Sequence, residues 1–261
     1  MKKNPGSLRV WRQLAENFFL AEFENHDSFL VSSKKNLAIK IKTDGYIPKS
    51  GLFLANTLSG FSFAGLTALD IGTGETGLLA NCMRSEGAVR VVGCDIDKDA
   101  IEHAKMASNI SGEIEWSVSN VYDRVPNYGF DFIVSNPPQM PMKVNGHHHD
   151  YGGSDGREII LKILKGSADR LNNHAHIVLL CFDFLGTDRR TNSESSLSEI
   201  GQNLGFNVHV INQVKRNIRK GGETEKNMDW IRAIYPLYEF ERNENGGLTY
   251  QLHILDFQKG V

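Results

Sequence analysis

Apolar and polar positions repeat in one main pattern along this 261-residue chain. From residue 66 onward, short apolar runs of strand length are followed by turns and then by segments with helical spacing. The predicted strands are 66–71, 89–96, 113–119, 130–135 and 177–184, and the predicted helices are 77–83, 99–108 and 158–171. This alternation predicts an α/β fold with a mostly parallel sheet and helices on both faces.

The two ends of the chain depart from that pattern. Residues 8–23 have helical spacing, with Trp11, Leu14 and Phe18 on one face, and residues 37–42 alternate like an edge strand. At the other end, residues 238–241 and 248–252 flank an Asn/Gly-rich stretch, which predicts an antiparallel hairpin. We therefore expect an N-terminal segment over residues 1–50 and a main domain over residues 51–261.

Composition and charge narrow the class of protein. The chain is 40% hydrophobic and 23% charged with a net charge of −2, as in a globular protein without an overall electrostatic preference for nucleic acid. A local basic patch on the surface is still compatible with this net charge. Cys82, Cys94 and Cys181 stand apart in apolar runs and indicate reduced core thiols in a cytoplasmic protein. No apolar run reaches about 18 residues, so we expect no membrane span.

A glycine signature, Leu69-Asp70-Ile71-Gly72-Thr73-Gly74-Glu75, follows the first strand of the α/β pattern. Asp70 ends the strand, Gly72 and Gly74 permit a tight turn, and a helix is predicted to begin near Glu75. Asp95 ends the next strand, at about the 20-residue spacing of an acid that binds ribose hydroxyls. A structural turn is the alternative. A carboxylate at Glu75 would repel a pyrophosphate, which favours S-adenosyl-L-methionine (SAM) over a dinucleotide.

A second signature, Asn136-Pro137-Pro138-Gln139, ends the strand over residues 130–135. Two prolines stiffen such a loop and remove two N–H groups, so that carbonyls are its free polar groups. A proline-rich strand end with no chemical role is the alternative. In combination with the glycine signature, the order of the two motifs predicts a reactive loop that faces a bound cofactor.

With Gly93-Cys94-Asp95-Ile96-Asp97, these motifs resemble those of class I SAM-dependent methyltransferases, and specifically the HemK-like, methyltransferase small domain family. The resemblance covers residues 45 to 185 and includes Gly152-Gly153-Ser154-Asp155-Gly156. It implies a Rossmann-like sheet of seven strands whose last strand is antiparallel. It implies SAM as cofactor, a hydrogen accepted from the attacking nitrogen by Asn136, and a second one by the Pro137 carbonyl. The cofactor-binding residues expected are Asp70, Gly72, Gly74, Asp95, Ile96, Asn120 and Asn136.

Two departures from the family concern the substrate. Relatives that act on amides or adenine carry Tyr or Phe after Asn-Pro-Pro as a stacking platform, whereas this chain has Gln139. Asn120 replaces an acid after the third strand, although an Asn can still meet both edges of adenine. The cofactor prediction therefore stands, while the substrate prediction is weaker.

Three further segments carry expectations. The loop over residues 146–151 contains three consecutive histidines that are poorly placed to share a metal, so no metal is expected, and Tyr151 is assigned a substrate-facing, catalytic position. The stretch 214–226 is basic, either as a solvated loop or as an anion-binding lid. The aromatic N-terminal segment, with Trp11, Phe18, Phe19 and Phe23, is either a lid over the cofactor or packed on the flank of the sheet.

The function predicted is transfer of the SAM methyl group to a nitrogen of a protein or small-molecule acceptor. One alternative is non-methyl use of SAM, namely cyclisation to azetidine-2-carboxylate with release of methylthioadenosine. Another is N6-methylation of adenine in RNA or DNA, which Gln139 and the acidic balance disfavour. A non-catalytic SAM-binding module is the last. Neither a membrane nor a nucleic acid is expected as partner.

Overall fold

The computed structural model describes residues 7–34, 36–42, 47, 49–110, 114–143 and 150–260. The chain divides into two compact units, residues 1–128 (unit 1) and 129–261 (unit 2). The predicted boundary near residue 50 stays a prediction, since it concerns the N-terminal segment inside unit 1.

Unit 1 begins with an antiparallel sheet in the order β1–β4, formed by β1 (Leu8–Ala15), β2 (Phe18–Phe23), β3 (Ser28–Ser32) and β4 (Ala38–Ile41). The prediction of a helix over residues 8–23 is wrong. The chain turns at Glu16 and Asn17, and the buried Phe18 and Leu20 of β2 follow the two-residue period of a strand. The aromatic run fits both the helical and the strand period. Trp11 of β1 stacks on Phe19 of β2 with ring centroids 5.0 Å apart, and this cross-strand contact favours the strands. The predicted edge strand over residues 37–42 is confirmed as β4.

The rest of unit 1 alternates helices with parallel strands: α1 (Lys49–Leu58), β5 (Thr67–Ile71), α2 (Leu78–Ser85), β6 (Arg90–Asp95), α3 (Lys98–Ala107) and β7 (Glu115–Val118). β6 lies between β5 and β7 and is parallel to both. α3 is capped by Asp97, whose carboxylate accepts hydrogen bonds from the amides of Asp99 and Ala100. β4 joins this part through the Ala38 amide, which donates to Asn109 Oδ1 at 2.7 Å.

Unit 2 contains β8 (Phe130–Ser135), α4 (Glu158–Gly166), β9 (Leu171–Phe182), a 3-10 turn (Asp183–Leu185), α5 (Leu197–Asn203), β10 (Phe206–Asn217), α6 (Glu223–Lys226), α7 (Met228–Ile234), β11 (Glu241–Arg242) and β12 (Leu248–Lys259). β8 and β9 are parallel, while β12 lies antiparallel between β9 and β10. β11 pairs with β12, which confirms the predicted hairpin. The helix predicted to reach residue 171 ends at Gly166, where the Ser167 hydroxyl donates to the Leu164 carbonyl.

The predicted α/β class with mostly parallel strands and an antiparallel C-terminal end is confirmed. The two-residue β11 adds to the seven strands expected, and the N-terminal segment is a sheet. Cys82, Cys94 and Cys181 are buried thiols that form no disulfide, as predicted. Within the described ranges, no helix is long and apolar enough to cross a membrane.

Candidate functional site

The turn between β5 and α2 depends on glycine conformations. Gly72, Gly74 and Gly77 have φ angles of 72°, 63° and 55°, in the left-handed region that other residues seldom adopt. A Cβ placed on Gly72 or Gly74 would meet no atom within 4 Å, so the turn is open on that side. α2 begins at Leu78, one residue after the start of the predicted helix 77–83 and after the helix start expected near Glu75. The turn therefore spans residues 72–77.

Asp70 lies fully buried at the end of β5. Its Oδ2 accepts hydrogen bonds from the Thr73 hydroxyl at 2.6 Å and from the Ala80 amide at 3.0 Å. Its Oδ1 has no hydrogen-bond partner among the described residues. Burial raises the pKa of Asp70 to about 7, against the two hydrogen bonds, which lower it. A buried carboxylate oxygen without a donor is an unfilled acceptor beside the open turn.

Asp95 is half-buried at the end of β6 and closes the same turn. Its Oδ2 accepts from the Gly74 amide at 2.9 Å, and its Oδ1 accepts from the Asp97 amide at 3.0 Å. Each carboxylate oxygen has room for a second hydrogen bond, so both can still accept from a ligand. Ile96 is 63% exposed and Asn120 is exposed, both just beyond the ends of their strands. The predicted cofactor residues of unit 1 thus share one edge of its parallel strands.

Sequence reasoning missed the partners of Glu75. Lys42 Nζ, just after β4, lies 3.0 Å from Glu75 Oε2. His103 Nδ1 in α3 lies 2.8 Å from the Glu75 carbonyl oxygen, which makes Nδ1 the protonated nitrogen, since a carbonyl only accepts. Glu75, whose carboxylate favoured SAM over a cofactor with a pyrophosphate, is therefore paired with Lys42. The one sequence signal for such a partner was a single carboxylate within a glycine-rich turn.

Trp116 of β7 was also missed. A Cβ on Gly93 would come within 2.5 Å of its ring, and a Cβ on Gly77 would do the same. The two glycines make room for the indole between β6 and the start of α2. The ring therefore supports the glycine turn from the sheet.

In unit 2, Gln139 holds the Asn-Pro-Pro loop. The side chain is 4% exposed; Oε1 accepts from the Phe182 amide at 2.7 Å, and Nε2 donates to the carbonyls of Leu180 at 2.8 Å and Pro137 at 3.4 Å. Asn136 is half-buried and Pro137 is buried. Gln139 thus binds the end of β9 and presents no stacking surface, in agreement with the loss of the family's platform at this position.

The segment 150–156 packs against the same loop. The Met140 amide donates to the Asp150 carbonyl at 2.8 Å, and the Gly152 amide donates to the Met140 carbonyl at 3.1 Å. A Cβ on Gly152 would come within 2.4 Å of Gln139 Cα, which explains the glycine. Tyr151, half-buried, pairs with Met140 and is thereby brought next to the Asn-Pro-Pro loop.

His147, His148 and His149 lie outside the described residues. Among those that are described, no group of three or more His, Cys, Asp or Glu side chains is arranged to hold a metal ion. The predicted site residues therefore fall into two sets. Unit 1 holds Asp70, Gly72, Gly74, Asp95, Ile96 and Asn120, and unit 2 holds Asn136, Pro137 and Tyr151; that the two sets face each other stays a prediction.

Comparison with known families matches residues 47–209 to the methyltransferase small domain. The chain belongs to this family. The match confirms the predicted resemblance and the prediction that the protein is an enzyme of the SAM-dependent methyltransferase class. Its range includes both the glycine turn and the Asn-Pro-Pro loop.

Three relatives of this methyltransferase small domain protein are named as methyltransferases that act on nitrogen. It is 28% identical over 154 residues to a candidate protein N5-glutamine methyltransferase of Methanocaldococcus jannaschii, a match that covers 56% of this chain and 74% of that one. It is 28% identical over 161 residues to the release factor glutamine methyltransferase of Rhodopirellula baltica, covering 56% and 52%. It is 41% identical over 73 residues to the tRNA1(Val) (adenine(37)-N6)-methyltransferase of Phocaeicola vulgatus, covering 27% and 31%. The matched region spans about half the length of the second relative.

Among solved structures, a methyltransferase from Pyrococcus furiosus has a TM-score of 0.51 and 21% identity, covering 85% of this chain and 90% of that one. This similarity shows the fold. It supports the Rossmann-like architecture over most of the chain, beyond the range of the family match.

Proposed function

We propose that this protein transfers the methyl group of SAM to a nitrogen atom of its acceptor. The observation that carries the proposal is the Asn-Pro-Pro loop, whose conformation is fixed by the buried Gln139 at the end of a parallel strand. The named activities of the relatives in both the glutamine and the adenine group are methylations of nitrogen, which supports the same reaction here.

The residues of unit 1 fit SAM better than a phosphate-bearing cofactor. Asp95 places a carboxylate at the open turn and already binds the Gly74 amide, and carboxylates repel phosphates. The unpartnered Oδ1 of Asp70 and the second acceptor positions of Asp95 suit the amino and hydroxyl donors of SAM. In this proposal Asp95 binds the ribose, Ile96 and Asn120 contact the adenine, and Asp70, Gly72 and Gly74 surround the rest.

SAM supplies an electrophilic methyl group, and the chain supplies orientation. The Asn136 side-chain oxygen accepts a hydrogen from the attacking nitrogen, and the Pro137 carbonyl accepts another. Both stabilise the positive charge that develops on that nitrogen. The Pro137 carbonyl accepts one hydrogen bond, from Gln139 at 3.4 Å, and its second lone pair serves this role. Tyr151 lines the acceptor side of the loop.

The test is an incubation with SAM, first alone and then with acceptors, followed by mass spectrometry of the nucleoside products. A glutamine-containing peptide and unmodified tRNA are the first acceptors, after the relatives' names. We expect S-adenosylhomocysteine only when an acceptor is present. Methylthioadenosine from SAM alone would overturn methyl transfer and indicate cyclisation instead.

A further inference from the structure

Three side chains of unit 2 form a surface that the sequence motifs do not include. Phe182 ends β9, Tyr250 lies in β12 and Arg216 in β10. Phe182 is paired with Leu252, and Arg216 is paired with Tyr250. Because side chains two residues apart lie on the same face of a strand, all three project from one face of the sheet. We call Phe182, Tyr250, Arg216 and the nearby Arg219 the aromatic–arginine surface.

The aromatic part of this surface is ordered and partly accessible. The rings of Phe182 and Tyr250 meet edge to face, with centroids 5.3 Å apart, and both residues are half-buried. Phe182 also stacks on the buried Phe184 at 4.8 Å, which fixes its orientation. A half-buried ring held in this way presents a planar apolar surface at low entropic cost.

The surface adjoins the Asn-Pro-Pro loop. β8 and β9 are parallel, so Asn136 and Phe182 leave the sheet at the same edge. The Phe182 amide donates directly to Gln139 in that loop, at 2.7 Å. The backbone of Phe182 therefore contacts the loop in which Gln139 stands where relatives have an aromatic residue.

The arginines of this surface differ in ion pairing from the lysines at positions 215 and 226. Arg216, Arg219 and Lys220 form no ion pair with any residue that the structure describes. In the same stretch, Lys215 is paired with Glu241 at 2.7 Å and Lys226 with Glu223 at 2.6 Å. Burial raises the pKa of Tyr250, and the positive charges of Arg216 and Arg219 oppose this effect.

We propose that the aromatic–arginine surface binds a single-stranded polynucleotide that carries the base to be methylated. A base stacks on the Phe182 ring, and the two arginines bind the flanking phosphates, for which their planar guanidinium groups are suited. A polynucleotide carries a planar base beside its own phosphates, so one strand uses both the ring and the arginines, whereas a peptide would need acidic side chains and a planar side chain at matching positions. The proposal deepens the proposed function, on which it rests, by naming its acceptor class, and it differs from the sequence-based expectation of a protein or small molecule.

Binding is measured on the full chain without SAM, by fluorescence anisotropy with labelled single-stranded RNA and DNA of about 12 nucleotides, within the usual site sizes. The double variant Arg216→Gln/Arg219→Gln should weaken binding about tenfold or more at 0.1 M salt. It should also reduce the slope of log affinity against log salt by about 1.4, or about 0.7 for each lost phosphate contact. Phe182→Leu should weaken binding about 5- to 100-fold.

The matched control is Lys215→Gln/Lys226→Gln, which removes two ion-paired cations from the same stretch and should change affinity less than about twofold. Equal affinities and slopes for wild type and the arginine variant would overturn the proposal. So would a polyglutamate peptide of equal charge that competes as well as RNA, which would point to an acidic protein. A difference between the RNA and DNA arms identifies the natural polynucleotide.

A separate calorimetric titration with SAM distinguishes this proposal from the proposed function. Asp95→Asn should lose SAM affinity and bind RNA as wild type does. Intact SAM binding without any polynucleotide binding would refute only the aromatic–arginine surface. Absence of SAM binding would refute the proposed function, whatever the RNA result.

Discussion

The glycine turn of unit 1 and the Asn-Pro-Pro loop of unit 2 are stabilised over different distances along the chain. In the turn, Thr73 binds Asp70 three residues away, and three glycines supply the backbone geometry themselves. In the loop, Gln139 binds residues 41 and 43 positions away. The turn, our proposed cofactor site, therefore depends largely on local contacts, to which Asp95 adds one from the next strand, whereas the loop, our proposed acceptor site, depends on tertiary contacts. Contacts between residues close in sequence can be recognised as a motif, whereas contacts between distant residues cannot.

The strongest test of the acceptor half is Asn136→Ala. We expect turnover to fall about 100- to 1,000-fold, because the variant loses the group that orients the nitrogen and stabilises its developing charge. SAM affinity, measured by calorimetry, should change far less, which assigns the loss to the reaction itself. Turnover near that of wild type would mean that the loop is only structural.

The next test removes the tertiary contact of the loop. Gln139→Leu leaves the Phe182 amide and the Leu180 carbonyl without their partner, and each unsatisfied buried group costs about 1–3 kcal/mol. We expect the free energy of unfolding, measured in urea, to fall by about 3 kcal/mol. The exposed Gln202→Leu in α5 serves as control and should stay within about 0.5 kcal/mol of wild type. Equal stability of both variants would contradict a supporting role for Gln139.

A pH titration tests the turn. The pKa of Asp70 is raised to about 7 from an unfolded value of 3.8, so between these values the folded state binds more protons than the unfolded state. The free energy of unfolding should therefore fall as pH rises, by about 2 kcal/mol between pH 5 and pH 7. Asp70→Asn should lose this slope in urea unfolding at the two pH values. A slope that persists in the variant would belong to another group.

The smallest effect concerns Asp95, which both closes the turn and binds the ribose in our proposal. Asp95→Asn keeps one acceptor oxygen and loses the charge, so SAM affinity should fall about tenfold, the equivalent of about 1.4 kcal/mol. The neighbouring Asp99→Asn, on the exposed side of α3, is the matched control. Unchanged SAM affinity in a folded Asp95 variant would place the ribose elsewhere.

Much of the fold was predictable because period and glycine position are local properties. β5, β6, β8 and the C-terminal hairpin fall where the pattern put them. The error over residues 8–23 arose because a run of aromatics satisfies both the helical and the strand period, and cross-strand pairing decides between them. The end of α4 was overestimated because Gly166 and Ser167, where the helix ends, were included in the predicted helix.

The candidate site was predictable where its contacts are local. The glycines of the turn are required by their backbone conformation, and its acids accept hydrogen bonds from backbone amides of the turn and of the helix that follows. The direction of Gln139, the pairing of Lys42 with Glu75 and the proximity of Phe182 to the loop all depend on residues distant in sequence. No sequence motif indicates such contacts, so the sequence alone did not predict the surroundings of the Asn-Pro-Pro loop.

The indole of Trp116 limits which residues can occupy positions 77 and 93. Gly93 can be glycine for the sake of the ring alone, since a Cβ there would overlap it at 2.5 Å, whereas Gly77 is also required by its left-handed φ of 55°. A lineage that replaced the tryptophan with a small residue would release position 93 to vary and would still keep Gly77. Covariation of positions 93 and 116 would therefore identify the members of the family that retain this support beneath the glycine turn.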